Sequence, residues 1–113
     1  PRDIYRQPVD SYVADFIGEA NLIPAGELGH AGRFVMVRPE DVVLAGKGLP
    51  VRIEGRLLEL RFLGSIVEAT VATPGGSMIR ARFASAAMAD VALPPGETIG
   101  LAWSDAAERH LER

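Results

Sequence analysis

From residue 51 onward, the chain consists of short segments in which apolar and polar residues alternate. Apolar residues occupy the odd positions of 67–71, 79–83 and 99–103, and turns rich in Gly and Pro separate these segments. A period of two residues is that of a β-strand with one buried face. Several short strands punctuated in this way predict an all-β barrel or sandwich.

Residues 51–63 change parity within one segment. Val51, Ile53 and Leu57 place apolar residues on odd positions, whereas Leu58, Leu60 and Phe62 place them on even positions. A straight strand cannot bury both sets on one face, but a β-bulge or sharp bend shifts the parity by one residue. We therefore predict a bent strand over 51–63, with Gly55 near the bend.

The segments 67–71 and 79–83 predict a hairpin around Pro74-Gly75-Gly76. Their apolar residues share a face only if the numbers of each pair of opposed residues add up to an even value. The short loop favours a sum of 150. Val71 then pairs with Ile79 and Val67 with Phe83. Glu68 would face Arg82 as an exposed ion pair worth only about 0.2–1 kcal/mol.

The remaining segments are assigned from their apolar pattern and turn residues. Residues 9–17 have the spacing of an amphipathic helix between Pro8 and Gly18. Phe34–Val37 is predicted to be a buried strand that ends at Arg38-Pro39. Residues 84–94 are ambiguous between helix and loop, Pro94–Glu97 forms a turn, and Ser104 caps a terminal helical turn through Arg113.

Composition limits the possible chemistry. The 113 residues include no Cys and two His, and 48% are hydrophobic, as expected of one globular domain or part of a larger protein. Thiolate metal sites and disulfides are impossible, and a metal centre is disfavoured. A net charge of −3 disfavours nucleic-acid binding. No apolar stretch has the length of a bilayer span, and the start lacks a signal-peptide pattern.

No sequence motif indicates catalysis. Gly46-Lys47-Gly48 has the wrong spacing for a phosphate-binding loop and lacks a following hydroxyl. There is no Gly-x-Ser-x-Gly elbow and no His-Glu-x-x-His helix. We expect His30 and His110 to be exposed loop and tail residues, although the fold could bring them together as a catalytic pair.

A few polar residues and one aromatic residue are candidates for ligand or interface contact. Glu40-Asp41 could be a paired-carboxylate site, but a turn cap with Arg38 as ion partner is favoured. Arginines of the strands could line an anion-binding face, although a solvated face balanced by Glu54, Glu59 and Glu68 is favoured. These arginines are Arg52, Arg56, Arg61, Arg80 and Arg82. Trp103 is expected to anchor the core or an interface. The candidates are Arg38, Glu40, Ser65, Arg80, Arg82 and Trp103.

Five segments in order resemble the region that follows the nucleotide-binding domain in ATP-binding subunits of ABC importers. They are Asp3–Pro8, Tyr12–Asn21, Val37–Val42, Leu60–Ser65 and Pro95–Trp103. The last three are similar to the transport-associated OB (TOBE) domain. This resemblance implies a mainly β, OB-like β-barrel over residues 22–113, preceded by a helical linker over 1–21.

The resemblance also implies a non-catalytic regulatory and dimerisation domain of an importer for polyamines (spermidine or putrescine) or ferric iron. ATP and Mg²⁺ would bind only to an upstream ATPase domain, so we expect no cofactor here. The expected partners are a second copy in a homodimer, the ATPase domain and, through it, membrane permease subunits. We expect a cytoplasmic location at the inner face of the cell membrane.

Two other functions remain open from the residues. A free-standing oxyanion or small-ligand binder would use backbone donors and hydroxyls, for which Gly64-Ser65 and Gly75-Gly76-Ser77 are candidates. An OB-type nucleic-acid module would need aromatic residues interleaved with basic ones on one sheet face. The aromatic residues here lie on apolar faces, which disfavours this function.

Overall fold

The computed structural model describes residues 20–46, 48–88 and 94–111, and the predicted helix at 9–17 lies outside them. Within these ranges the chain forms eight strands and four single turns of 3₁₀ helix. The strands are β1 (Asn21–Pro24), β2 (Phe34–Val37), β3 (Val43–Leu44), β4 (Ile53–Leu63), β5 (Ile66–Ala72), β6 (Met78–Ala84), β7 (Thr98–Ala102) and β8 (Arg109–Leu111). The 3₁₀ turns are Ala25–Leu28, Pro39–Asp41, Ser85–Met88 and Asp105–Ala107.

The strands form two antiparallel sheets that enclose one core. The larger sheet has the order β3-β7-β4-β5-β6 and the smaller one β1-β2-β8. Ile23 and Val35 of the small sheet pack in one cluster with Leu57, Val71 and Ile79 of the large sheet. The mainly β prediction is confirmed, as is the buried strand Phe34–Val37.

The predicted bend in β4 is a β-bulge. Arg56 and Leu57 pair with Ala72 and Val71, and after a register shift Glu59 pairs with Thr70, so that Leu58 is the extra residue. Gly55 meets a different requirement, because a Cβ there would lie 2.5 Å from Val71 Cγ1 and 2.6 Å from the carbonyl oxygen of Ala72. The glycine allows close packing, three residues before the bulge.

The predicted hairpin register is confirmed. Val71 pairs with Ile79 and Val67 with Phe83, and Glu68 lies opposite Arg82. Arg82 Nε donates to Glu68 Oε2 over 2.9 Å. The prediction was wrong in one respect: Glu68 is buried, with 7% of its surface exposed, because both Arg61 and Arg82 cover its carboxylate.

The OB-like barrel is not closed, because no backbone ladder joins the two sheets among the described residues. The side chain of Asn21 in β1 bridges them instead. Its Nδ2 donates to the carbonyl oxygen of Arg80 over 2.8 Å, and its Oδ1 accepts from the Arg80 N–H over 2.7 Å. Since this amide satisfies both backbone groups of Arg80, that edge of β6 needs no partner strand there. Pro24, at the end of β1, has no N–H with which to extend a ladder.

The end of the chain also differs from expectation. Ser104 precedes only a single 3₁₀ turn, Asp105–Ala107, and makes no side-chain capping bond. The chain then extends as β8, which pairs with β2, so the predicted terminal helical turn through Arg113 is wrong. The turn at Pro94–Glu97 is confirmed, with Gly96 at a φ of 96°. Of the ambiguous segment 84–94, Ser85–Met88 forms a 3₁₀ turn.

Candidate functional site

A buried carboxylate organises the end of the small sheet. Glu108 lies between the 3₁₀ turn Asp105–Ala107 and β8, and only 5% of its side chain is exposed. Its Oε2 accepts hydrogen bonds from Trp103 Nε1 and Arg52 Nη1, each over 2.8 Å. Arg52 also contacts Asp105. These two donors fix the orientation of the carboxylate.

Two histidines converge on the other oxygen of Glu108. His110 Nε2 lies 2.9 Å from Glu108 Oε1, and His30 Nε2 lies 3.6 Å from the same atom. The two imidazole rings meet edge to face, with centroids 4.9 Å apart. We call His30, Glu108 and His110 the His-Glu-His cluster.

The surroundings keep Glu108 ionised. Burial raises its pKa, but hydrogen bonds from Trp103 and His110 and the charges of Arg52 and His30 outweigh burial, so the pKa lies below its ordinary value. The hydrogen bond from Arg52, together with its charge, likewise lowers the pKa of Asp105. A charged acceptor is therefore present at Oε1 at neutral pH.

Pairing of distant segments assembles this cluster. His110 in β8 lies opposite Val35 of β2. His30 follows the first 3₁₀ turn, and its backbone N–H donates to the Ala25 carbonyl over 3.0 Å. The expectation of two separate histidines was therefore wrong. His110 is exposed, as expected, whereas His30 is half-buried. Glu108 was missed, although Glu108 and His110 have the spacing of two that places side chains on one face of a strand.

A surface cleft brings together three of the predicted candidates. Glu40, Ser65 and Arg82 line it beside Ile66 and Phe83, and its volume is about 690 Å³. Glu40 lies in the 3₁₀ turn that follows β2, with its carboxylate 3.9 Å from Arg38. The predicted turn with a local ion partner is therefore present, and it forms one wall of the cleft.

The other candidates lie elsewhere. Trp103 is buried in the core, with 1% exposed, and its ring nitrogen is bonded to Glu108. Arg80 is held at the β1–β6 junction through its backbone bonds to Asn21. Arg52 pairs with Asp105 and Glu108 instead of lining a strand face for anions.

A second carboxylate anchors the β5–β6 turn and was not predicted. Glu27 accepts hydrogen bonds from the hydroxyls of Thr73, over 2.6 Å, and Ser77, over 2.5 Å. The backbone N–H of Ser77 donates to Thr73 Oγ1. Since the Ser77 donors already have partners within the protein, this turn does not offer them to an oxyanion.

The tip of the β4–β5 hairpin carries exposed apolar side chains. Phe62 is 73% exposed, Leu63 49% and Ile66 40%; we call these three residues the tip patch. Phe62 pairs directly with Val67, which is buried, so the two side chains project from the same side of the sheet. Leu63 and Ile66 pair with each other one residue along each strand, so they project from the opposite side. The tip patch therefore presents exposed apolar side chains on both sides of the hairpin end.

Comparison with known proteins identifies the module and its relatives. The TOBE domain family matches residues 35–111, which is more than half of the chain. The Fe(3+) ions import ATP-binding protein FbpC of Rhizobium etli is 31% identical over 101 residues, covering 69% of this chain and 28% of that protein. The spermidine/putrescine import ATP-binding protein PotA of Acetivibrio thermocellus is 33% identical over 95 residues, covering 66% of this chain and 27% of that protein.

The sulfate/thiosulfate import ATP-binding protein CysA of Synechococcus elongatus is 28% identical over 106 residues, covering 88% of this chain and 31% of that protein. The chain thus spans about three tenths of the length of these relatives. None of its described helices is both long and apolar enough to cross a bilayer.

Among solved structures, the cytoplasmic molybdate-binding protein ModG superposes with a TM-score of 0.60 at 22% identity, covering 77% of this chain and 69% of that chain. At this identity the likeness concerns the fold alone, and it supports the OB-like arrangement of the two sheets. The sequence match over residues 35–111 shows that the chain belongs to the TOBE domain family, and the relatives named above are ATP-binding subunits of ABC importers.

Proposed function

We propose that this chain is the regulatory and dimerisation domain of the ATP-binding subunit of an ABC importer for polyamines or ferric iron. The family match and the relatives named for import of Fe(3+) and of spermidine/putrescine support this function. Hydrolysis of ATP would then belong to an upstream domain that binds ATP and Mg²⁺. The longer subunit would lie at the cytoplasmic face of the membrane and contact permease subunits.

The tip patch is the observation that carries the dimerisation role. An exposed phenylalanine on one side of the hairpin end and two half-exposed aliphatic residues on the other form apolar surface that water solvates poorly. A twofold axis through the tip would place each patch against its own copy, because isologous interfaces use the same surface on both subunits. Two domains held in this way would keep two ATPase domains in a defined relative position.

Sedimentation equilibrium of the purified chain tests this role. We expect a dimer at a concentration of about 100 µM, corresponding to a Kd near or below this value. Phe62→Ser removes the aromatic ring and should yield monomer. Met78→Ser is the matched control, since Met78 is also exposed but lies at the opposite end of the β5–β6 hairpin.

Three outcomes would contradict the proposed interface. The first is a monomer throughout this concentration range for the unmodified chain. The second is an equal loss of dimer in Phe62→Ser and Met78→Ser, which would show that the association does not depend on the tip patch. Retention of dimer in Phe62→Ser would contradict it as well.

Oxyanion binding is the second candidate function, and the cleft beside Ser65 and Arg82 favours it. Ser65 and Arg82 both line the cleft, and a hydroxyl and a guanidinium suit a tetrahedral oxyanion. Two features oppose it: Glu40 lines the same cleft, and Arg82 is already bonded to Glu68. Calorimetric titration with molybdate distinguishes the two functions, because binding abolished by Ser65→Ala together with Arg82→Gln would favour the oxyanion binder.

A further inference from the structure

We propose that the His-Glu-His cluster is a binding site for a divalent transition-metal ion, with Zn²⁺ as its simplest probe. The ligands would be one imidazole nitrogen from each of His30 and His110 and one carboxylate oxygen from Glu108. This inference is independent of dimerisation and of the transported solute.

The distances within the cluster suit a metal ion. Among the described residues, these three side chains form a group whose ligand atoms all lie within 4.8 Å of one another. Zinc–nitrogen and zinc–oxygen bonds of about 2.0–2.1 Å in a tetrahedron place the ligand atoms about 3.3 Å apart. The distances from Glu108 Oε1 to the two imidazole nitrogens, 2.9 and 3.6 Å, lie on either side of this value. Small side-chain rotations would therefore suffice to admit the ion.

The surrounding residues orient the carboxylate for this role. Trp103 and Arg52 both bond Oε2 of Glu108, which leaves Oε1 directed at the histidines. Such outer contacts are a regular feature of metal sites, because they fix the ligand before the ion arrives. Asp105 pairs with Arg52 and offsets the positive charge that the guanidinium would otherwise bring close to a cation.

The ligand set determines the class of metal. Two imidazoles and a carboxylate suit Zn²⁺, Fe²⁺, Co²⁺, Ni²⁺ and Cu²⁺, whereas Mg²⁺ and Ca²⁺ prefer oxygen ligands alone. Three protein ligands leave at least one coordination position for water.

A bound ion would link two parts of the small sheet. His30 lies in the loop that leads into β2, and His110 lies in β8, where the Leu111 carbonyl accepts from the Arg33 N–H over 3.1 Å. Because the ion would bind this folded arrangement and not the unfolded chain, it should stabilise the fold by mass action. The site would thus strengthen the attachment of β8 to β2.

Calorimetric titration of the purified chain with ZnCl₂ at about pH 7.5 tests the site, with Co²⁺ absorption as a second readout of coordination. We expect one ion per chain, and a weakening by about tenfold or more in His30→Gln and in His110→Ala. Arg109→Ala is the matched control, because Arg109 is an exposed β8 neighbour outside the cluster. MgCl₂ should give no heat of binding at the same concentrations.

Thermal denaturation of each variant without metal shows that it still folds. The proposal is supported if Zn²⁺ raises the Tm of the unmodified chain and of Arg109→Ala but not of the two histidine variants. It is overturned if the unmodified chain binds no Zn²⁺, if both histidine variants bind as tightly as the unmodified chain, or if one ion is shared between two chains.

Discussion

The side-chain amide of Asn21 forms two hydrogen bonds with the backbone of Arg80, one to its N–H and one to its carbonyl oxygen. An amide side chain thereby takes the place of a neighbouring strand at the junction of the two sheets. Asn21 is almost fully buried, so water cannot replace these bonds without local opening.

Replacing Asn21 by Ala should destabilise the chain by about 2 kcal/mol, because two backbone groups of Arg80 lose their partners. Urea denaturation followed by circular dichroism measures the change. Ser104→Ala is the control, since Ser104 is exposed and makes no side-chain capping bond, and its effect should stay within about 0.5 kcal/mol. Equal stability of Asn21→Ala and the unmodified chain would show that the junction does not depend on this amide.

Gly55→Ala should destabilise the chain by about 1–3 kcal/mol. The new methyl group would lie 2.6 Å from the backbone oxygen of Ala72, which cannot rotate away as a side chain could. Gly26→Ala is the matched control, because a Cβ there meets no atom within 4 Å. The urea concentration at the unfolding midpoint should be lower for Gly55→Ala than for Gly26→Ala. Similar midpoints for the two variants would refute the close approach of β4 and β5.

Glu27→Ala should lower the free energy of unfolding by about 1–2 kcal/mol and loosen the β5–β6 turn, because two hydroxyl donors lose a charged acceptor. The sharper measurement is amide hydrogen exchange. The N–H of Ser77, bonded to the Thr73 hydroxyl, should exchange faster in the variant. Glu40→Ala is the control, since the ion pair of Glu40 with Arg38 is long and exposed. Unchanged exchange at Ser77 in Glu27→Ala would contradict the anchoring role.

The Asp105–Arg52 pair should make stability depend on pH in acid. Hydrogen bonding to Arg52 lowers the pKa of Asp105 in the folded state, so the unfolded chain binds the proton more readily there. The pair therefore contributes fully to the free energy of unfolding above the ordinary aspartate pKa of about 3.9. This contribution disappears as the pH falls through the lower pKa that Asp105 has in the folded state.

The Tm difference between the unmodified chain and Asp105→Asn measures this contribution. It should be positive at neutral pH and shrink in acid. Because Asp105 is 91% exposed, solvent screens the pair, and about 1 M salt should also reduce the difference. A difference that grows in acid would contradict the sign of the pKa shift.

Local patterns sufficed to predict much of the large sheet. The register of β5 and β6 followed from the parity of Val71 and Ile79, because a short loop and one buried face leave few alternatives. The bulge followed from the parity change between Leu57 and Leu58. Sequence pattern could not show that Phe62 remains uncovered, since coverage depends on where the other sheet ends.

The small sheet and its site were less predictable. β8 has only three residues, too few to show alternation, and it pairs with a strand from the first part of the chain. The meeting of His30 with His110 depends on that distant pairing. The open junction between the sheets depends on Asn21, a single polar residue whose bridging role has no sequence motif.

The pairing of β8 with β2 also bears on the order in which the protein can be made and folded. Val35 and His110 lie opposite each other although 75 residues separate them in the chain. During translation, the hairpin of β5 and β6 can form as soon as it leaves the ribosome, but the small sheet must wait for its last strand. Until then β2 exposes one unpaired edge, and such an edge can pair with other nascent chains and lead to aggregation.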